Sequence, residues 1–299
     1  MKLLFTGASG FLGNNILPLL RRDFDSVTTL GHLPSDDLTV DLSRETPELP
    51  EAYDIVLHAA GEAHMVPRTE CDEHIFYAVN HEGTRRLCDA LEKAGTPKSL
   101  IFISTVAVYG CECGELIDES HPLEGRSAYA RSKIMAEEYL TGWCRRNGVV
   151  LTILRPSLIA GTNPPGNLGA MVRGIRRGMY VNIAQGKASK SILMAEDIAN
   201  LIPLVADKGG IYNVCDSEQP TFGQLSLAIA SQLGKRKPLS IPMWMARMLA
   251  RVGDLTGGRF PVDSRRLEKI TRSLTFSNRK AVDTLGWQPL KVLDRLRVD

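Results

Sequence analysis

No apolar run in this sequence is long enough to cross a membrane, and the opening MKLLFTGASG is too short for a signal peptide. No long block of one charge occurs either. Lys and Arg number 36 against 34 Asp and Glu, a net charge of +2, which offers no electrostatic footprint for nucleic acid. Cysteine is sparse and scattered: Cys71, Cys88, Cys111, Cys113, Cys144 and Cys215. Only Cys111 and Cys113 are close, and no CxxC pair answers them, so no zinc site and no metal is expected. Reduced thiols in a cytoplasmic protein are the simplest reading. No internal repeat or low-complexity tract appears.

What is present has the pattern of an α/β protein. The chain has 299 residues, a length that suits two domains or one large domain with an appendage. Apolar strands are expected at Lys2–Thr6, Ser26–Leu30, Ile55–Ala59, Leu100–Ser104, Val149–Leu154 and Ile211–Val214. Helical spacing fills residues 11–22, 74–94 and 130–146, with Gly148 as a stop. Pro18 should kink or end the first of these helices. Continuously apolar strands alternating with helices predict a doubly wound parallel sheet of the Rossmann type. Residues 164–190 and 217–299 are richer in Pro, Gly and basic residues. They predict a smaller, mostly helical C-terminal substrate lobe beside a cofactor domain formed by 1–163 and 191–216. The apolar stretch from Ile241 to Val252 could lie on a membrane surface, but its spacing is read here as lobe packing.

Two motifs carry chemistry. Gly7, Gly10 and Gly13 punctuate Thr6-Gly7-Ala8-Ser9-Gly10-Phe11-Leu12-Gly13, between the first strand and the first helix. Small residues there let backbone approach a pyrophosphate at a helix N-terminus. The second strand ends in Leu30-Gly31-His32, where an acid would bind both ribose hydroxyls and an arginine would bind a 2′-phosphate. Neither is present, so NAD and NADP both stay open, with a lean away from strict NAD. Asp41-Leu42 follows as a candidate for the adenine edge or an ordinary turn. Tyr129 and Lys133 stand at i and i+4, on one face of a helix. A neighbouring ammonium lowers a phenol's pKa and makes it a proton donor and acceptor near neutrality. Ser104-Thr105 ends an apolar strand 24 residues before Tyr129, where ligands of such sheets bind.

Taken together, these motifs resemble the extended short-chain dehydrogenase/reductases, the NAD-dependent epimerase/dehydratase family. The resemblance rests on Thr6–Gly13, Asp41-Leu42, His58-Ala59-Ala60, Asn80 with Gly83-Thr84, Ser104-Thr105 through Val108-Tyr109-Gly110, Tyr129–Lys133, Arg155-Pro156, Asp197 and Gly286-Trp287-Gln288-Pro289. It implies Thr105, Tyr129 and Lys133 as catalytic residues, with Lys133 also on the nicotinamide ribose. It implies cofactor contacts at the glycine turn, His32, Asp41, Leu42, His58, Ala59, Ala60, Asn80, Ser104, Arg155 and Pro156. Asn167, Leu168 and Lys190 are implied for a nucleotide-diphosphate sugar, with Arg266 and Arg272 as weaker candidates. Family members that eliminate water carry Asp-Glu after the threonine. Here Val106-Ala107 follows Thr105, and neither side chain moves protons. A 4,6-dehydratase is thereby disfavoured. A sugar C4 epimerase and a 4-keto reductase remain, in cell-surface polysaccharide synthesis by the resemblance of the C-terminal run. A redox sensor or scaffold of the same fold, or a reductase of a non-sugar ketone, is the alternative. The resemblance also implies a homodimer.

Overall fold

The computed structural model describes residues 1–63, 65, 67, 69–255 and 264–298; the side chains of Leu255, Arg265, Arg266 and Lys269 lie outside the described set. Seven strands form the central sheet: β1 (Lys2–Thr6), β2 (Ser26–Gly31), β3 (Leu38–Thr39), β4 (Ile55–His58), β5 (Ser99–Ile103), β7 (Val150–Pro156) and β11 (Gly210–Val214). Their order is β3-β2-β1-β4-β5-β7-β11 and every pairing is parallel. Direction of travel along the sheet reverses between β1 and β4, and ligands of such sheets bind beyond the strand ends at that crevice. Strands β4 and β5 are buried along their whole length, as parallel strands covered on both faces must be.

Helices α1 (Phe11–Asp23) and α6 (Ala195–Val205) cover one face, and α3 (Gly83–Ala94) and α4 (Ala128–Asn147) the other. Leu3, Phe5, Ile16, Leu20 and Ile198 meet in the first core; Leu4, Leu87, Leu100, Leu140 and Trp143 meet in the second. Alternate residues of β1 therefore feed opposite cores, as strand pleating requires. Pro18 neither ends nor breaks α1, contrary to expectation. It and Asn14, whose carbonyl its missing N–H would serve, are both exposed, so water can take the orphaned acceptor. The helix expected at 74–94 is longer and not uniform. It starts as α2 (Glu70–Tyr77), widens into a π-helical turn at Ala78–Glu82, and continues as α3.

Three two-stranded sheets lie outside the main one. They pair β8 (Leu158–Ala160) with β10 (Ile192–Met194), β9 (Val181–Ile183) with β12 (Leu239–Ile241), and β6 (Gly114–Ile117) with β13 (Leu274–Phe276). The small lobe packs α5 (Gly166–Arg176) on α7 (Phe222–Gln232), α11 (Val292–Arg295) and β10. Its remaining helices are α8 (Met243–Leu255) and α9 (Ser264–Thr271). The expected division of the chain is crossed twice. Ile192 and Met194 join the small-lobe core, while Ala281 and Leu285 of α10 (Arg279–Leu285), with Trp287, pack into the large one. Asp197 fastens that crossing by accepting the Leu290 N–H at 3.0 Å. The expectation for Ile241–Val252 is overturned. Trp244, Met245, Met248, Leu249 and Val252 are exposed, and α8 packs inward through Ala246 and Ala250. No helix among the described residues is long and apolar enough to cross a membrane.

Candidate active site

The glycine turn closes tightly on the strand beside it. Gly7 has φ +80°, and a Cβ there would sit 2.6 Å from the Ala60 amide nitrogen. A Cβ on Gly13 would lie 2.2 Å from the Ala8 carbonyl oxygen. Neither position tolerates a side chain, whereas Gly10 faces more open space and caps α1 with no side-chain hydrogen bond. The first turn of α1 carries no acid. Its free amides and positive end suit a pyrophosphate, with Ser9, Phe11 and Leu12 along the approach. The site's residues therefore fit a dinucleotide.

His58, Ala59 and Ala60 lie beneath this turn. The Ala60 amide donates to Thr6 Oγ1 (3.1 Å), which is 2.7 Å from His58 Nδ1. His58 Nε2 is 2.8 Å from Thr84 Oγ1, which donates to the Asn80 carbonyl at 2.7 Å. Thr84 has one proton and spends it on Asn80, so His58 Nε2 must donate and Nδ1 must accept from Thr6. The imidazole is neutral, and burial followed by the Lys133 charge pushes its pKa from 6.5 to about 3. It braces the cofactor floor and moves no proton. In the unfolded chain it binds a proton below about pH 6.5, and in the fold only near 3. Its contribution is full above 6.5 and is lost as pH falls toward 3. Between pH 7 and 4.5 this amounts to about 2–3 kcal/mol. Urea titrations at both pH values are expected to show that loss reduced in His58→Asn relative to the wild type. The paired comparison removes Asp197, whose carboxyl burial raises to about 7 and which titrates in the opposite sense. Equal losses in the two proteins would sink the assignment.

Asn80 sits in the π-helical turn. Its Oδ1 accepts the Glu62 amide at 2.8 Å, and its Nδ2 donates to the Glu62 carbonyl (3.1 Å) and Ser132 Oγ (2.9 Å). It thus ties the loop after β4 to α4. A Cβ on Gly61 would lie 2.8 Å from Asn80 Oδ1 and 3.0 Å from Lys133 Nζ, so that backbone abuts the lysine directly.

Ser127 caps α4 by accepting the Ala130 amide, and Tyr129, Lys133 and Glu137 recur on its inner face at i, i+4 and i+8. The Tyr129 ring packs near Phe76, with centroids 6.1 Å apart. Thr105 caps a short 3₁₀ turn (Val106–Tyr109), its hydroxyl accepting the Ala107 amide at 3.1 Å. Burial raises the Tyr129 phenol above its ordinary 10, and the Thr105 hydroxyl beside it opposes that rise. This corrects the expectation of a phenol lowered by Lys133. The ammonium is turned instead to the Ile103 carbonyl (2.9 Å) and the Phe102 ring, so burial prevails. Lys133 itself is buried, which lowers its pKa to about 8 against the pull of Glu137.

Sequence reasoning missed the network behind this pair. Ser104 donates to Glu137, and Arg155 grips the same carboxylate through Nε (3.1 Å) and Nη2 (2.6 Å). Arg155 also donates to the Tyr109 hydroxyl (3.0 Å), which donates to Asn213 (2.7 Å). Glu137 was visible as the next i+4 position and Tyr109 stood in the Val108-Tyr109-Gly110 motif, but neither position gave its partner. The side chains of Ser104 and Arg155 are thus committed behind the site, and Pro156 ends β7 beside them.

The ribose end holds the larger omission. A Cβ on Gly31 would meet Asp36 Oδ2 at 2.4 Å. The carboxylate missing from the end of β2 is returned to that spot by the following loop, anchored by the Leu33 amide (3.2 Å). His32 beside it is exposed. Asp41 accepts from the Ser43 amide (2.9 Å) and hydroxyl (2.7 Å), a self-contained turn, while Leu42 is buried against Gly83.

The substrate-side residues are more dispersed. Asn167 is exposed in the first turn of α5, which carries no acid and no side-chain cap. The Leu168 side chain is buried in the small-lobe core, leaving its backbone for any ligand. The backbone of Lys190 bridges Leu274, two residues beyond Arg272. Arg272 pairs with Glu268 at 2.5 Å. Arg266 belongs to α9, and its side chain lies outside the described residues. The described residues hold no cluster of metal-ligand type.

A glycine-turn sheet with a hydroxyl, a phenol and an amine at its mouth defines a dinucleotide-binding α/β protein. The chain belongs to the NAD dependent epimerase/dehydratase family, whose model matches residues 3–215. It is 30% identical to the N-acetyl-alpha-D-glucosaminyl-diphospho-ditrans,octacis-undecaprenol 4-epimerase of Escherichia coli O157:H7, covering 93% of this chain and 88% of that one. It is 26% identical to the GDP-6-deoxy-D-mannose reductase of Pseudomonas aeruginosa, covering 96% and 92%. Its fold matches the Thermus thermophilus UDP-glucose 4-epimerase complexed with NAD, with a TM-score of 0.71 at 23% identity over 97% and 94% of the two chains.

Proposed function

We propose that this protein interconverts epimers at C4 of a diphosphate-linked sugar, using one retained NAD. The observation that carries the reading is the Thr105–Tyr129–Lys133 cluster with Val106-Ala107, and no acid, next in the chain. NAD, when bound, would supply hydride acceptance and return. The glycine turn would hold its pyrophosphate, Asp36 its adenosine ribose and Lys133 its nicotinamide ribose. Thr105 Oγ1 orients the sugar C4 oxygen against the Tyr129 hydroxyl. As the phenolate, Tyr129 would take the hydroxyl proton as C4 is oxidised, and the phenol so formed would return it to the oxygen as C4 is reduced. With Val106-Ala107 in place of Asp-Glu, elimination of water from the sugar is not supported. The relatives that act on diphosphate-linked sugars support the substrate class, and Asn167, Lys190 and Arg272 are proposed for its diphosphate.

The test is to incubate the purified protein with UDP-N-acetylglucosamine or UDP-glucose and no added reductant. The expected result is the 4-epimer, read by NMR, with no net change in the nicotinamide absorbance. Absence of epimer, with stoichiometric NADH or NADPH consumption on a 4-keto sugar, would replace this reading with the reductase one.

A further inference from the structure

Helix α8 is amphipathic in the unusual sense. Its small residues, Ala246, Ala250 and Gly253, are the buried ones, and they face Leu267 of α9 and the small sheet of β9 and β12. Its large residues point the other way. Trp244 is 62% exposed and Met248 61%, and Met245, Leu249 and Val252 share their face. At 3.6 residues per turn, these five positions span about 140° of the helix circumference. Val181 and Leu239, register partners in the β9–β12 sheet, are also exposed.

Charge accompanies this surface. The stretch from Lys235 to Val252 contains Lys235, Arg236, Lys237, Arg247 and Arg251 and no acidic residue, in a chain whose net charge is only +2. All five basic residues are exposed; Arg247 and Arg251 lie along one edge of the apolar arc of α8, where Asp254 also stands with its carboxylate bonded to Ser264. Long apolar side chains, an interfacial tryptophan and rim arginines form the set that lies flat on an anionic bilayer. A protein partner would also bury apolar surface, but it would not by itself call for the basic excess of this stretch.

We infer that the outward face of α8 docks this protein on an anionic lipid surface. Trp244, Met248 and Val252 enter the headgroup boundary, and Arg247 and Arg251 pair with lipid phosphates.

The probe is built into the chain. Trp143 and Trp287 are buried, so Trp244 is the exposed tryptophan whose emission vesicles would change. Vesicles of equal phosphatidylglycerol and phosphatidylcholine are expected to shift the emission to the blue and to carry the full-length protein in flotation. Pure phosphatidylcholine and high salt are expected to leave it free. Vesicle affinity is expected to fall roughly tenfold or more in Arg247→Glu/Arg251→Glu and in Met248→Ser/Val252→Ser. Thermal melting verifies the fold of each variant, independently of any sugar turnover. Wild-type protein that ignores anionic vesicles, or variants that bind as well as wild type, would overturn the docking. A wild-type dimer that dissociates in the serine variant would overturn it too, in favour of a second copy on that face. None of these readouts depends on epimerisation, so failure of the docking and failure of the proposed reaction are separable.

Discussion

Tyr129→Phe is expected to lower turnover by roughly 10²–10⁴-fold while leaving NAD binding within a few-fold. In the reduction half of the proposed reaction the phenol, whose pKa burial raises, gives its proton to the C4 oxygen, and in the oxidation half its phenolate takes it. Phenylalanine keeps the ring that packs near Phe76 and removes only the oxygen. The fold should therefore survive, and calorimetric titration with NAD separates binding from chemistry. Lys133 remains in place, held to the Ile103 carbonyl, so the ribose contact assigned to it persists. Near-normal turnover in this variant would remove Tyr129 from the mechanism. Loss of NAD binding in parallel with turnover would give it a structural role instead.

Asp36→Ala is expected to weaken NAD roughly 10–100-fold and to narrow or reverse the preference over NADP. The carboxylate stands where a side chain on Gly31 would begin, at the end of β2. In the proposed function it would accept from the ribose hydroxyls of NAD there and would repel a 2′-phosphate. The residues at 31 and 32 taken alone lean the other way, so the variant tests the two readings against each other. Asp36→Asn retains an acceptor for the Leu33 amide, and so distinguishes loss of charge from collapse of the loop. Direct binding titrations of both cofactors decide the matter. An unchanged NAD-to-NADP ratio in both variants would show that Asp36 does not read the ribose.

Much of the fold was legible because the signals are local. Each buried strand is a short apolar run, and each covering helix repeats its apolar positions every three or four residues. Gly7 and Gly13 could be assigned from the strand–turn–helix context, and the fold adds the backbone contacts that exclude a side chain. Tyr129 and Lys133 were readable for the same reason: four residues apart on a helix is a spatial statement. The π turn that aims Asn80 was not readable, since one extra residue in a helical turn leaves no compositional trace. Asp36 escaped because the usual rule inspects the strand end, whereas here a loop folds back to supply the acid.

The sequence by itself determined the parallel sheet, the glycine turn, the Tyr129–Lys133 spacing and the absence of acids after Thr105. These depend on periodicity and on residue type at fixed offsets. Only the tertiary structure decided the direction of the Tyr129 pKa, the partner of Arg155, the return of Asp36 to Gly31 and the outward face of α8. Each depends on what lies across a gap from the residue, on burial and on distance. An apolar stripe reads alike in sequence whether it meets a core or solvent. In α8 the small residues took the core, and the large ones were left outside.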